Sequence, residues 1–401
     1  MSEAGSRLHE GLERHPDGAV AARILGAALA AVDPGACVER ALRVEADAVV
    51  AEDQRMELRP GARVWLLAVG KAAAAMARAA VPRLGTRLEG GLAVVKHLPA
   101  EAIDPQGRIA VARGAHPIPD ERSEAAGRAV IELARRAGPD DLLVVLLSGG
   151  ASSLMVAPVP GRSLPELARL GDQLLRSGVP IEEINRRRSQ LDRLKAGGLR
   201  RLAEPTRVLT LVLSDVTGAP SSVVGSGPSV PGPLVELASN DTAVAAAMRA
   251  VVAEGWRAEP WPPLRGEARA LGRRLARRLR DACPREPTAF VAGGETTVTM
   301  RGHGRGGRNQ SLALAALPEL AGAEGRLLVT LATDGEDGPT DAAGAVVTGD
   351  SAVRAAALGL DPVAHLDDDD AYPVFEALGD LLRIGPTGTN VCDLVLALAR
   401  P

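Results

Sequence analysis

The chain has 401 residues, a formal net charge of −3, 46% hydrophobic and 24% charged residues, which suffices for the cores of two domains at roughly 100 to 200 residues each. Three Trp, two Phe and one Tyr, with no basic excess, exclude the charged stripe and stacking rings of a nucleic-acid binder. MSEAGSRLHEGLERHPDGAV has no apolar leader core, and no run approaches the ~18 apolar residues of a membrane span, so a cytoplasmic protein without a membrane partner is expected. Cys37, Cys283 and Cys392 are odd in number and far apart, which argues against a disulfide framework or a zinc site.

Residues 17 to 56 read as two helices, because VAARILGAALAAV and CVERALRVEADAVVAE repeat apolar residues at helical spacing. Short apolar runs then alternate with helical patterns: VWLLAVG from Val64, GLAVV from Gly91, IAVA from Ile109, LLVVLLSGG from Leu142 and RVLTLVLSDV from Arg207. This is the rhythm of a parallel sheet covered on both faces. SGPSVPGPL interrupts it, a helix and an arginine-rich helix follow, and a second strand set begins at TAFVAGGETTVTM, continuing in RLLVTLATDG and DLVLALA. The expected division is a Rossmann-like N-terminal domain over 1–240, a connecting helical region over 241–284 and a smaller C-terminal α/β domain over 285–401.

Polar residues follow nearly every apolar run, and strand ends are where sheets of this class build sites. Lys71 follows the first run, and it is one of three lysines among 47 basic residues. Where arginine has replaced nearly every surface lysine, a remaining ammonium is worth following, because the guanidinium fork does not mimic it. Ser148, Gly149, Gly150 and Ser152 form either an anion nest or a tight turn with a serine cap. RGHGRGGRNQ brings Arg305, Arg308 and Asn309 to the start of a helix and reads as an anion loop. It continues a longer loop, so a dinucleotide fingerprint fits it poorly. Asp334, Glu336, Asp337 and Asp341 on the loop after RLLVTLA would hold Mg²⁺ or accept a hydroxyl proton, or form plain Asx turns. Asn185, Arg188 and Lys195 read as one helix face. His116 is either catalytic or a cap for the next helix, and the DDDD run at 367–370 reads as a solvated helix cap.

Taken in order, AVGKAAAAMA, GAHPIPD, LLSGGASSLM, the N-x-x-R-x-x-L-x-R-L-K pattern, LVLSDVTGAP, GGETTVTMRGHGRGGRNQ, ATDGEDGPTDAAGA and GPTGTNVCDL resemble the type II glycerate kinases, the glycerate 2-kinase family with a C-terminal MOFRL domain. The resemblance runs from about Val64 to Leu398. It implies two α/β domains, the first Rossmann-like, with ATP and glycerate in the cleft between them, and ATP- and Mg²⁺-dependent phosphorylation of the 2-hydroxyl of D-glycerate. On that resemblance Lys71 and Arg308 are the catalytic pair, meeting a shared phosphate. Ser148, Gly149, Gly150, Ser152, Asn185, Arg188, Lys195, Asp215, Glu295, Arg305, Asn309, Thr389 and Asn390 are the substrate and ATP contacts, and Asp215 and Asp334 the metal ligands. The chain departs from the family pattern at Ala196, where the first glycine of K-G-G stands, at Ala219 and Ser222, where two acids stand, and at His303, where a basic residue is common.

The alternatives are a hydroxypyruvate reductase-type oxidoreductase, which would need a fingerprint loop and a ribose-binding acid, and a non-catalytic small-anion-binding protein. The partners implied are small molecules; the oligomeric state is open, a homo-oligomer included.

Overall fold

The computed structural model describes residues 3–176 and 186–401. The chain divides into two compact units, one of residues 33–239 and one of residues 1–32 with 240–401.

In the first unit a six-stranded parallel sheet runs in the order β6-β5-β4-β7-β8-β9. Its strands are β4 (Val64–Val69), β5 (Leu88–Val95), β6 (Ile109–Arg113), β7 (Leu142–Leu147), β8 (Arg207–Leu213) and β9 (Leu234–Ala238). Counted within the sheet this is 3-2-1-4-5-6, the doubly wound order whose direction reverses between its first and fourth strands, here β4 and β7. β4 and β7 are buried along their whole length. Each buried Leu or Val contributes about 1.5–3 kcal/mol through removal from water, so unbroken runs such as VWLLAV and LLVVLL occupy the centre. The expected Rossmann-like domain is thus present.

A three-stranded antiparallel sheet precedes it: β1 (Leu42–Glu45), β2 (Ala48–Ala51) and β3 (Gln54–Glu57). The expected second helix therefore covers only Pro34–Ala41. Beyond it Val44, Val49 and Val50 favour extended backbone, and Ala46 and Glu52 adopt positive φ at the two turns, which no helix accommodates.

The second unit carries a six-stranded mixed sheet in the order β10-β11-β15-β12-β13-β14. Its strands are β10 (Arg257–Pro260), β11 (Thr288–Gly294), β12 (Arg326–Ala332), β13 (Gly344–Thr348), β14 (Leu381–Leu382) and β15 (Asp393–Ala399). Only β10 and β11 pair in parallel; β15 lies antiparallel between β11 and β12. The start of β15 therefore stands beside the carboxyl ends of its neighbours, with Asp393 in register with both Gly294 and Ala332.

The unit boundaries differ from the sequence expectation. The helix Gly18–Ala31 packs on the helix Asn240–Ala253, so the first 32 residues join the C-terminal unit. The stretch 241–284 is integral to that unit too: it supplies edge strand β10, and the helix Ala268–Arg280 buries Leu271, Leu275 and Leu279 in the same cluster as Leu312 and Val395.

Candidate active site

At the switch point of the parallel sheet, the turns after β4 and β7 are tied together. Lys71 N donates to Gly149 O at 2.9 Å, Ser148 N to Val69 O at 3.0 Å, and Ala72 N to the Ser148 hydroxyl at 3.1 Å. Gly70 has φ +131°, and a Cβ there would stand 2.1 Å from Ser148 Oγ, so only glycine permits this approach. Gly150 has φ +85°, and a Cβ there would meet His116 Cδ2 at 3.0 Å and Lys71 Cγ at 3.5 Å. The Lys71 side chain, His116 and Gly150 are thus neighbours. Ser148 is wholly buried and spends its hydroxyl on the turn, whereas Ser152 is half-buried and its hydroxyl lies 3.0 Å from that of Ser226. Asp215 is half-buried two residues after β8.

Arg188 and Lys195 come from a less regular segment than expected. Asn185 lies outside the described residues. The helix holding Arg188 has ended by Gln190, and Lys195 sits on a turn, so the two share no helix face; Asp192 bridges to Pro158, and Gly197 takes positive φ. Both nonetheless line one pocket with Ser152. Lys195 is 2% exposed, donates to Met155 O at 2.8 Å and lies 3.7 Å from Asp192 Oδ2. Burial pulls its pKa down, against the raising influence of Asp192. Ala196 adopts φ +46°, the left-handed conformation that glycine takes freely.

In the second unit, Arg308 opens the helix Arg308–Ala316. Its Nε and Nη2 donate to the two oxygens of Asp393 at 2.6 and 3.1 Å, and its Nη1 donates to Glu295. A guanidinium has five N–H donors; three are accounted for here, which leaves two. Burial acts to lower the Arg308 pKa, but Asp393 and Glu295 outweigh it and raise it. Asp393 is 1% exposed, and burial pushes its pKa up despite Arg308. The sequence reading passed over Asp393, which looks like an ordinary strand residue; its acid at the head of the apolar run LVLALA was the available signal.

Several predicted contacts are committed to the scaffold. Asn309 is buried, with its amide on Asp337 Oδ1 at 3.3 Å. Asp337 also accepts from Asn309 N and Gln310 N at 3.0 and 2.8 Å, closing the helix start. It is thus a cap and not an exposed ligand; burial pushes its pKa up to about 7, against those backbone donors. Asp341 binds Tyr372 and Arg383 instead. Thr389 is buried and donates its hydroxyl to Val32 O at 2.8 Å, so it anchors the first 32 residues. Asp334 is half-buried after β12 and its Oδ1 accepts from Glu336 N at 3.2 Å. Asn390 is half-buried just before β15, and Glu295 is exposed at the end of β11.

The DDDD run is not the solvated helix cap expected: Asp370 stands at the N-cap of the helix Ala371–Leu378 without a side-chain capping bond. Asp369, 5% exposed, pairs with the buried Arg269 and accepts from Gly302 N at 2.8 Å. Asp368 receives His303 N and Asp370 receives Arg305 N. The glycine-rich loop is therefore held along its length by three successive carboxylates. Arg305 itself is exposed and lies over the Tyr372 ring, 3.9 Å from its centroid.

Among the described residues no three His, Cys, Asp or Glu side chains gather as a metal cluster, and no single helix is long and apolar enough to cross a membrane. The one described G-x-G-x-x-G, GHGRGG at 302–307, precedes the helix Arg308–Ala316 but begins eight residues after the end of β11, so it makes no tight strand-to-helix turn, and the β4 turn reads GKAAAA.

Residues 20–252 match the family described as a domain of unknown function (DUF4147), and residues 288–393 match the MOFRL family. The chain is 38% identical to the D-glycerate 2-kinase of Thermotoga maritima, over 84% of this chain and 90% of that protein. It is 33% identical to the glycerate 2-kinase of Pyrococcus horikoshii, over 94% and 96%. The crystal structure of a glycerate kinase from Thermotoga maritima superposes with a TM-score of 0.82 at 34% identity, covering 95% of this chain and 98% of that one. With relatives this similar over most of its length, the chain belongs to the glycerate 2-kinase family.

Proposed function

We propose that the protein is an ATP-dependent kinase that phosphorylates D-glycerate on its 2-hydroxyl, giving 2-phosphoglycerate. The observation that carries the reading is Lys71 at the switch point of a doubly wound sheet, its backbone N–H on Gly149 O and its side chain beside Gly150, in a chain whose relatives include glycerate kinases from two organisms.

Phosphoryl transfer needs positioning and charge neutralisation more than a covalent nucleophile. Lys71 neutralises phosphate charge at its turn, as a compact ammonium does. Arg308 has its orientation fixed by the Asp393 fork and two N–H donors left for an anion. Mg²⁺ is held in kinases by one or two carboxylates together with the phosphates. Asp215 and Asp334, half-buried carboxylates at strand ends, are each donors of the kind Mg²⁺ takes; the ion would supply charge neutralisation at the phosphates. ATP and Mg²⁺ remain the cofactors of this reading, and a cytoplasmic location accompanies it.

The test is to incubate the purified protein with D-glycerate, Mg²⁺ and ATP, and in parallel with hydroxypyruvate and NAD(P)H. ADP formation with a 2-phosphoglycerate signal in ³¹P NMR supports the reading. NAD(P)H oxidation without ATP use refutes it, and a 3-phosphoglycerate product refutes the assigned position.

A further inference from the structure

The pocket beside Ser152 has a mostly apolar wall, including Val156 and Leu191, and three charged residues, Arg188, Asp192 and Lys195. Their electrostatics do not balance. Asp192 is 3% exposed and fully used: its Oδ1 accepts from Ala157 N and Leu194 N at 3.1 and 2.9 Å, and its Oδ2 faces Lys195 Nζ. It neutralises Lys195. Arg188 is half-buried, and among the described residues no carboxylate pairs with it. Burial lowers its pKa with no opposing partner. A desolvated guanidinium without a counter-charge is costly, and an anion that binds it recovers that cost. Asp192 is taken up by Lys195, so among the described residues Arg188 is the cation of this pocket left without a carboxylate, which suits one carboxylate better than the several charges of a nucleoside triphosphate.

We propose that Arg188 receives the carboxylate of the acceptor acid and that the apolar wall carries the acid's carbon chain, so the site admits monocarboxylic 2-hydroxy acids with small apolar side chains as well as glycerate. The proposal rests on the kinase reading for the word acceptor. The placement suits it: Ser152 lines this pocket and belongs to the turn whose Gly150 neighbours Lys71.

The test is calorimetric binding to the full chain without turnover, so that it stays readable even if no phosphoryl transfer is found. D-glycerate, D-2-hydroxybutyrate and the neutral glyceramide are titrated into wild type, Arg188→Met and Arg188→Lys, with ADP as a second ligand. Both acids are expected to bind wild type, and glyceramide at least about 30-fold more weakly, the size of losing one partner of a buried charge pair. Arg188→Met should lose the acids by a similar factor with ADP affinity unchanged, and Arg188→Lys should fall between. Equal binding of acid and amide to wild type would overturn the assignment without recourse to any variant. So would loss of ADP in place of the acids in Arg188→Met, which would make the pocket the nucleotide's. Exclusion of 2-hydroxybutyrate would overturn the role of the apolar wall.

Discussion

Replacing Asp393 and Arg308 by alanine, singly and together, measures whether the fork that aims Arg308 is an energetic unit. Two hydrogen bonds, at 2.6 and 3.1 Å, join them, and bonds to charged groups contribute about 1.5–3 kcal/mol each. Asp393 is 1% exposed on its side chain but Arg308 is 32% exposed, so solvent screens the guanidinium, and Glu295 takes up part of its charge. A coupling of about 2–3 kcal/mol results. In Arg308→Ala the buried Asp393, already raised by burial, takes up a proton, so that variant is destabilised less than the naked-charge cost. Urea unfolding of the four proteins gives the coupling directly. Additive effects within about 0.5 kcal/mol would refute the argument.

Asp369→Ala removes the partner of buried Arg269 and the acceptor of Gly302 N; it should cost about 3–5 kcal/mol and slow turnover by loosening the glycine-rich loop, read by urea unfolding and steady-state kinetics. Ala196→Gly relieves φ +46° and should stabilise by about 0.5 kcal/mol, since the left-handed strain of about 1–2 kcal/mol exceeds the extra unfolded-state entropy of glycine; a loss of stability would contradict it. Asp337 ionises near 4 when unfolded and at about 7 when folded, so the folded state holds the extra proton between these values. Its contribution to stability is present below pH 4 and lost as pH rises through 7. The stability difference between wild type and Asp337→Asn should therefore move toward the Asn variant between pH 5 and 8, by a few kcal/mol; a flat difference would show that Asp337 is ionised throughout.

The parallel sheet was legible because both its faces are covered, so its strands read as unbroken apolar runs ending in glycine, serine or lysine. The antiparallel return of β15 was not: DLVLALA reveals a strand but not its direction, and only pairing brings Asp393 beside Glu295 and Arg308. The helical reading fails over residues 42–52 because apolar spacing there fits both periods, and turn residues with positive φ decide it. Asp369 was misjudged for a related reason, since four successive acids look solvated until a distant buried arginine, Arg269, pairs with one of them. The attachment of residues 1–32 to the C-terminal unit is equally non-local, depending on Thr389 and on packing against Asn240–Ala253. Lys71 stands out by composition, through the scarcity of lysine in an arginine-rich chain, and the structure puts it at the turn after β4.

The measurement that bears most directly on the account is steady-state phosphorylation of D-glycerate by Lys71→Ala, with thermal unfolding in parallel. Lys71 is half-buried, and the backbone bonds that tie its turn to Gly149 do not involve its side chain, so the melting temperature should stay near that of wild type. The account predicts a kcat lower by at least about 10²-fold, the size of losing one charge-stabilising donor. A folded variant with near-normal kcat would contradict it.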